Sequence, residues 1–231
     1  MSTPTTPELS AVTQDYLKVV WSAREWSTQP VTTKMLAARL GVGPSTVSET
    51  VRRLADSGLV THEPYGAVEL TPAGERHALA VVRRHRLVET FLVEVLGYGW
   101  DEVHDEAEIL EHAVSDLFVE RIAAHLGDPR RDPHGDPIPA ADGSIDVPPA
   151  TLLWDVEPGE WAVARISDAD PELLRYVETV GLVLDAPLTV VERRTVAGVI
   201  SVRVGPPGSD HRRTVDLGEV ACRAIWLVPA R

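Results

Sequence analysis

Apolar positions change their spacing three times along this chain, and each change marks a part of the fold. From residue 8 to 26 they fall at Leu9, Val12, Tyr16, Val19, Val20 and Trp21, close to a helical period. A second helix is expected from Val31-Thr32-Thr33, with Thr32 or Thr33 as its cap, through Met35, Leu36 and Leu40 to a stop at Gly41. A third opens at Gly43-Pro44 and buries Val47, Val51 and Leu54 on one stripe before Gly58. Two helices joined by a short turn read as helix-turn-helix. The segments Leu59–Glu63 and Ala67–Leu70 flank Tyr65-Gly66 as a two-stranded wing. Thr71-Pro72 then starts a long helix that ends near Gly97.

One further helix is expected from about Asp101 to Leu126. Residues 127–151, rich in Pro, Gly and Asp, read as a connector. Beyond Leu152 the pattern shortens to alternating β-type runs at 161–166, 188–192, 199–204 and 224–228, with one short helix near Pro171 to Gly181. The fold class is therefore α+β and multidomain. It consists of an N-terminal winged helix-turn-helix (1–75), a helical domain (76–140), a Pro-rich linker (141–151) and a small C-terminal β-barrel (152–231).

No run of about 18 apolar residues exists, so no transmembrane helix is expected. The N-terminus lacks the basic start and apolar core of a signal peptide. Cys222 is the single cysteine, so no disulfide forms within the chain and a cytoplasmic setting is expected. The net charge of −13 argues at first against nucleic acid. The charge is uneven, however: residues 101–120 carry eight acidic residues and no Lys or Arg, whereas residues 76–86 hold four arginines.

On the third helix Ser45, Thr46, Ser48 and Glu49 are placed to meet base edges, and Arg52 and Arg53, with Lys34 of the second helix, to meet phosphates. The alternative for this segment is a winged helix used for protein contacts. The acidic stretch holds a second chemistry. On one helix, His104, Glu108, Glu111 and His112 fall at i, i+4, i+7 and i+8 and share a face. Carboxylates and imidazoles without balancing cations are poorly placed unless a metal sits there. His85 and Glu89, an i, i+4 pair on the preceding helix, can hold one cation with His104. Glu108, Glu111 and His112 can hold a second, completed by a carboxylate such as Asp15. Oxygen and imidazole donors without thiolate suit Mn(II), then Fe(II), with Co(II) or Zn(II) able to bind in vitro. The bland alternative is a solvated acidic face. His62, His77, His125, His134 and His211 lack such company and read as surface or structural residues.

Several motifs together resemble the diphtheria-toxin-repressor family of metal-dependent regulators. They are Gly43-Pro44-Ser45-Thr46-Val47-Ser48, Leu70-Thr71-Pro72-Ala73-Gly74, Arg84-His85-Arg86-Leu87, Val103-His104-Asp105-Glu106-Ala107 with Glu111-His112, and His134-Gly135-Asp136-Pro137-Ile138-Pro139. The resemblance implies a homodimer joined through the helical domain and a C-terminal domain of SH3-like (FeoA-like) type. It implies a primary metal site of Asp15, Glu108, Glu111 and His112. It also implies an ancillary site of His85, Glu89 and His104, with Asp170 and Glu172 near where the family's SH3-like domain supplies ligands. The family's iron branch has Met and Cys where this chain has Asp15 and Glu108, so the manganese branch is the nearer one. Lys18 departs from short manganese regulators, which carry a Glu there, so two separated sites are expected rather than a close metal pair.

The expected function is a Mn(II)-activated repressor, a homodimer on double-stranded operator DNA, with no membrane partner, no small-molecule substrate and no enzymatic activity. The alternatives are an iron(II)-dependent repressor of the same family and a small-molecule-sensing winged-helix regulator. A metal-dependent hydrolase lacks its signatures here: no His-Glu-x-x-His and no nucleophile elbow occur.

Overall fold

The computed structural model describes residues 9–63, 66–206 and 212–230. Tyr65 of the expected wing turn and His211 lie outside them. The described residues fall into two compact units, one within residues 9–84 with 139–144 and the other within residues 85–138 with 145–230.

In the first unit, α1 (Ala11–Glu25) starts at Ser10, whose hydroxyl accepts from the Thr13 N–H. Helix α2 (Thr33–Leu40) is capped by Thr32 and ends at Gly41 in the left-handed region. Helix α3 (Pro44–Asp56) carries Pro44 in its first turn and buries Val47, Thr50, Val51 and Leu54. Val47, Val51 and Leu54 join Tyr16, Leu17, Val20, Leu36 and Val68 in one core. Ser45, Thr46, Ser48, Glu49, Arg52 and Arg53 are left exposed on the opposite side of α3, and Lys34 is exposed on α2. The antiparallel strands β1 (Val60–His62) and β2 (Val68–Leu70) form the wing, with Val60 opposite Leu70.

Helix α4 (Pro72–Leu96) follows directly. The Thr71 hydroxyl accepts from the Gly74 N–H at 3.1 Å and donates to the Gly58 carbonyl at 2.7 Å, so one side chain caps α4 and ties it to the helix-turn-helix. Gly74 has to be glycine: a Cβ there would lie 1.9 Å from the Leu59 carbonyl oxygen.

In the second unit the expected acidic helix over 101–126 is two helices, α5 (Val103–Leu110) and α6 (Asp116–His125). Ser115 starts α6 by accepting from the Phe118 N–H, a capping arrangement that competes with a continuous helix. Glu111 and His112 therefore lie beyond the last turn of α5 rather than one turn further along its face. Leu87, Leu92, Val103, Val119 and Ile122 make the local core.

The β-rich part is a six-stranded antiparallel sheet in the order β3 (Thr151–Leu152), β8 (Ile225–Pro229), β4 (Gly159–Ile166), β5 (Pro187–Arg194), β6 (Val199–Val204) and β7 (Arg213–Gly218). Helices α7 (Pro171–Thr179) and α8 (Glu219–Cys222) add Leu174, Val177 and Cys222 to its core. Burial pushes the Cys222 thiol up to about 11. The register of β4 on β8 shifts between Val163 and Arg165, so the alternation breaks and Ala164 and Arg165 are both buried.

That irregularity positions a clasp. Residues 131–138, expected as part of a connector between domains, are largely buried. Asp132 Oδ1 accepts from the N–H groups of His134 and Asp136, both at 2.9 Å, and folds the loop on itself. Asp136 meets Arg165 Nε at 2.5 Å and Arg86 at 3.5 Å, and the Ile166 N–H donates to the His134 carbonyl at 2.9 Å. Burial, with the Asp136 and Glu89 charges, raises the pKa of Asp132. Gly135 sits at φ +94°, and a Cβ there would lie 2.2 Å from the Ala164 carbonyl oxygen. Gly135→Ala should destabilise the second unit by about 2 kcal/mol or more, as strain and clash combine. Gly127→Ala is the control, because Gly127 has φ +74° but open space around it. Urea unfolding checks this: equal losses for the two variants would remove the clasp contact as the reason for Gly135.

Candidate metal centre

One chain of imidazoles and carboxylates runs through the second unit, and it links residues that the sequence reading divided between two sites. His85, on α4, lies between two buried carboxylates. Its Nδ1 is 2.5 Å from Glu111 Oε2 and its Nε2 is 2.9 Å from Glu89 Oε1. Glu89 is 1% exposed and Glu111 0%. With both carboxylates ionised, both ring nitrogens must donate, so the metal-free arrangement needs an imidazolium at His85. Glu111 Oε1 is also 3.3 Å from His112 Nε2. At the other end, Glu89 Oε1 is 3.3 Å from His104 Nδ1.

His104, on α5, gathers the rest. Its Nδ1 is 3.2 Å from Asp168 Oδ2 and its Nε2 is 3.5 Å from Glu108 Oε1. Burial opposes its charge, but hydrogen bonds to Asp168 and Glu89 push its pKa up to about 11. The same pairing acts on the carboxylates. Burial alone would raise Glu89, yet the His85 charge and the hydrogen bonds from His104 and His85 hold it well below the usual carboxylate range. Asp168, also opposed by burial, is held low by His104, His134 and Arg165. Buried carboxylates whose pKa is depressed by clustered imidazoles are what a cation would meet: the protons occupy positions that a divalent ion can take.

Donor atoms of His85, His104 and Glu108 lie within 4.8 Å of one another, as do those of Glu89, His134 and Asp168. All are oxygen or imidazole nitrogen, a set that fits Mn(II), Fe(II) or Zn(II) and offers nothing to a thiophilic ion.

Among the expected ligands, His85, Glu89 and Glu108 are thus gathered around His104, and Glu111 and His112 adjoin them through His85. Asp15 is half-buried in α1 of the first unit. Asp170 and Glu172 lie two and four positions beyond Asp168. Asp170 caps α7, accepting from the N–H groups of Glu172 and Leu173, and both side chains are exposed. The C-terminal residue that meets the cluster is Asp168, two positions earlier in the same acidic stretch. His134, read from the sequence as surface or structural, is fully buried. Its place in the His134-Gly135-Asp136 motif was the available signal.

The residues expected at base edges, Ser45, Thr46, Ser48 and Glu49, are exposed on α3, and the Ser48 hydroxyl donates to the Pro44 carbonyl at 3.0 Å. Among the described residues, no helix is long and apolar enough to cross a membrane.

Residues 8–68 match the family model for the iron-dependent repressor N-terminal DNA-binding domain. Residues 71–140 match that for the iron-dependent repressor metal-binding and dimerisation domain, and 152–229 match the FeoA domain. The diphtheria toxin repressor of Corynebacterium efficiens is 39% identical over 140 residues, and the match covers 60% of each chain. The iron-dependent repressor IdeR of Mycobacterium tuberculosis is 39% identical over 132 residues, 57% of each. The chain thus matches about three-fifths of the length of these curated relatives. Among solved structures, a manganese-dependent transcriptional repressor in complex with manganese is 59% identical, with a TM-score of 0.89 over 94% of this chain and 100% of that one. The manganese regulator SloR is 32% identical, with a TM-score of 0.78 over 94% and 98%. Matched in all three of its parts, and at 59% identity over the full length of a solved relative, the chain belongs to the diphtheria-toxin-repressor family, the iron-dependent repressors with a FeoA domain.

Proposed function

We infer that this protein is a manganese(II)-activated transcriptional repressor of the cytoplasm. It acts as a homodimer on double-stranded operator DNA and has no enzymatic activity. The observation that carries the reading is the buried imidazole–carboxylate chain from His112 to Asp168, built without a thiolate. Membership in a family with iron and manganese regulators supports it, as does the 59% identity to a manganese-dependent repressor.

In this reading Asp15, Glu108, Glu111 and His112 hold the primary ion. His85, Glu89 and His104 hold the ancillary ion, with Asp168 as the barrel's ligand in place of the expected Asp170 and Glu172. Asp15 belongs to the DNA-binding domain, so metal binding and operator binding become linked, each strengthening the other by the same factor. The helical domain (76–140) is the dimerisation element, and the FeoA-like domain (152–231) follows the linker at 141–151. Ser45, Thr46, Ser48 and Glu49 face bases, and Lys34, Arg52 and Arg53 face phosphates.

The chemistry of His104 sets a pH dependence. Its pKa is raised from 6.5 to about 11, so the metal-free protein holds that proton at neutral pH. A metal takes the neutral ring, so binding must expel the proton, and apparent affinity rises with pH. For stability the sign is opposite: the metal-free protein gains from the His104 pairing below about 6.5 and loses it as pH rises through about 11. Mn(II) titrations followed by calorimetry in two buffers of different ionisation heat should give proton release at neutral pH. Heats independent of buffer would remove His104 as a ligand.

Operator binding at fixed salt, with and without Mn(II), tests the switch. Asp15→Ala should lose the metal-dependent gain of about 5–150-fold while the dimer persists. Unchanged operator affinity would remove Asp15 from the linkage, and equal binding by the parent chain with and without metal would overturn the metal switch itself. Glu108→Cys should turn the metal preference towards iron and softer ions. Equal activation of that variant by Mn(II) would end the selectivity argument.

A further inference from the structure

The exposed face of α3 carries one group that can only accept a hydrogen bond. Ser45 and Thr46 stand exposed in its first turn, but a hydroxyl both donates and accepts, so neither commits to one base. Ser48 is exposed in the next turn, and its hydroxyl hydrogen is taken by the Pro44 carbonyl at 3.0 Å. Arg53 Nη2 is turned to Thr50 Oγ1 at 3.3 Å. Glu49 is exposed, and its carboxylate has no ion pair or hydrogen bond among the described residues. Ser45, four residues before it, and Arg52 and Arg53, three and four residues after it, share its side of the helix.

A carboxylate held against DNA is repelled by the phosphates. Arg52 and Arg53 draw the same helix towards phosphates and offset that repulsion. The chemistry of the base edge then decides what Glu49 meets. In the major groove guanine shows two acceptors, and adenine an acceptor beside a donor. Thymine shows an acceptor and a methyl group, and cytosine a single donor. Guanine therefore repels a carboxylate outright, and adenine does so through N7. The N4 amino group of cytosine gives it a hydrogen bond with no opposing lone pair on the same base.

We propose that Glu49 is the specificity-determining residue of α3, and that it requires a cytosine in each operator half-site by accepting from the N4 amino group. The choice works by exclusion as much as by attraction, because the carboxylate penalises either purine at that position. A homodimer presents α3 twice, so the cytosine occurs once on each strand, related by the two-fold of the operator. Ser45 and Thr46 adapt to the neighbouring bases. The code changes in a defined way on substitution. Glu49→Gln replaces one acceptor oxygen by an amino donor and so matches adenine N6 and N7. The proposal rests on the reading of the protein as a metal-activated DNA-binding dimer, and its test separates the two.

The probe is a pool of random-sequence duplexes offered to the full chain loaded with Mn(II), at fixed salt, with the bound duplexes recovered and sequenced. The parent should select an inverted repeat with cytosine at one fixed position of each half-site. Glu49→Gln should select adenine at that position and keep the rest of the repeat. On single duplexes, another base there should weaken the parent about 5–150-fold, and Glu49→Gln should reverse the order of the cytosine and adenine duplexes. Glu49→Ala should bind all four duplexes alike, without loss of overall affinity, since the repulsion goes with the carboxylate. A repeat selected by Glu49→Gln that matches the parent's at every position would overturn the role of Glu49 and leave the DNA-binding reading intact. A parent repeat with no position fixed as cytosine would do the same. No repeat selected by the Mn(II)-loaded parent would overturn both.

Discussion

Burial of Glu89 and Glu111 beside a single shared imidazole is the constraint on which the second unit depends. A carboxylate removed from water needs compensating charge, and two with one histidine between them have one cation for two anions. The surrounding structure answers by bringing further imidazoles to the same place. His104 reaches Glu89 from α5, and His112 reaches Glu111 from the turn beyond it. In the metal-free chain this is a proton-held network. A proposed ion would displace the protons on the ring nitrogens it binds and supply positive charge to the buried carboxylates.

The break between α5 and α6 follows from the same need. A continuous helix would have kept Glu111 and His112 on a face with His104 and Glu108. Instead the helix stops, and Glu111 is fully buried against His85 while Ser115 restarts the chain as α6. The clasp at 131–138 works alongside it. Arg86 and Arg165 both pair with Asp136 Oδ1, and the register shift in β4 accompanies the burial of Arg165. Burying an ion pair gives little net stability, but removing one partner costs several kcal/mol, so the clasp favours one geometry over others more than it adds strength.

The winged helix-turn-helix was legible residue by residue, because Thr32, Gly41, Pro44 and Thr71 act locally and each marks an element's end in the sequence itself. The donors on α4 and α5 were legible for a similar reason, since their spacing is helical. The contribution of the β-rich part was not. In the run Ser167-Asp168-Ala169-Asp170-Pro171-Glu172 every acidic residue is a candidate, and only three-dimensional placement shows that Asp170 is consumed as a helix cap while Asp168 meets His104. His134 was missed because its neighbours come from α4, from the start of the acidic segment and from the β-sheet, all far away in sequence. The split of the acidic helix was missed because a hydrophobic period does not record where a serine cap will prevail.

The one thiol of the sequence is sealed in the β-sheet core. Cys222 is fully buried, and its pKa of about 11 keeps it protonated. Reactivity towards peroxides and electrophiles belongs to exposed thiolates, so the folded chain presents no sulfur nucleophile to them. Covalent oxidation at cysteine is therefore closed to the folded chain.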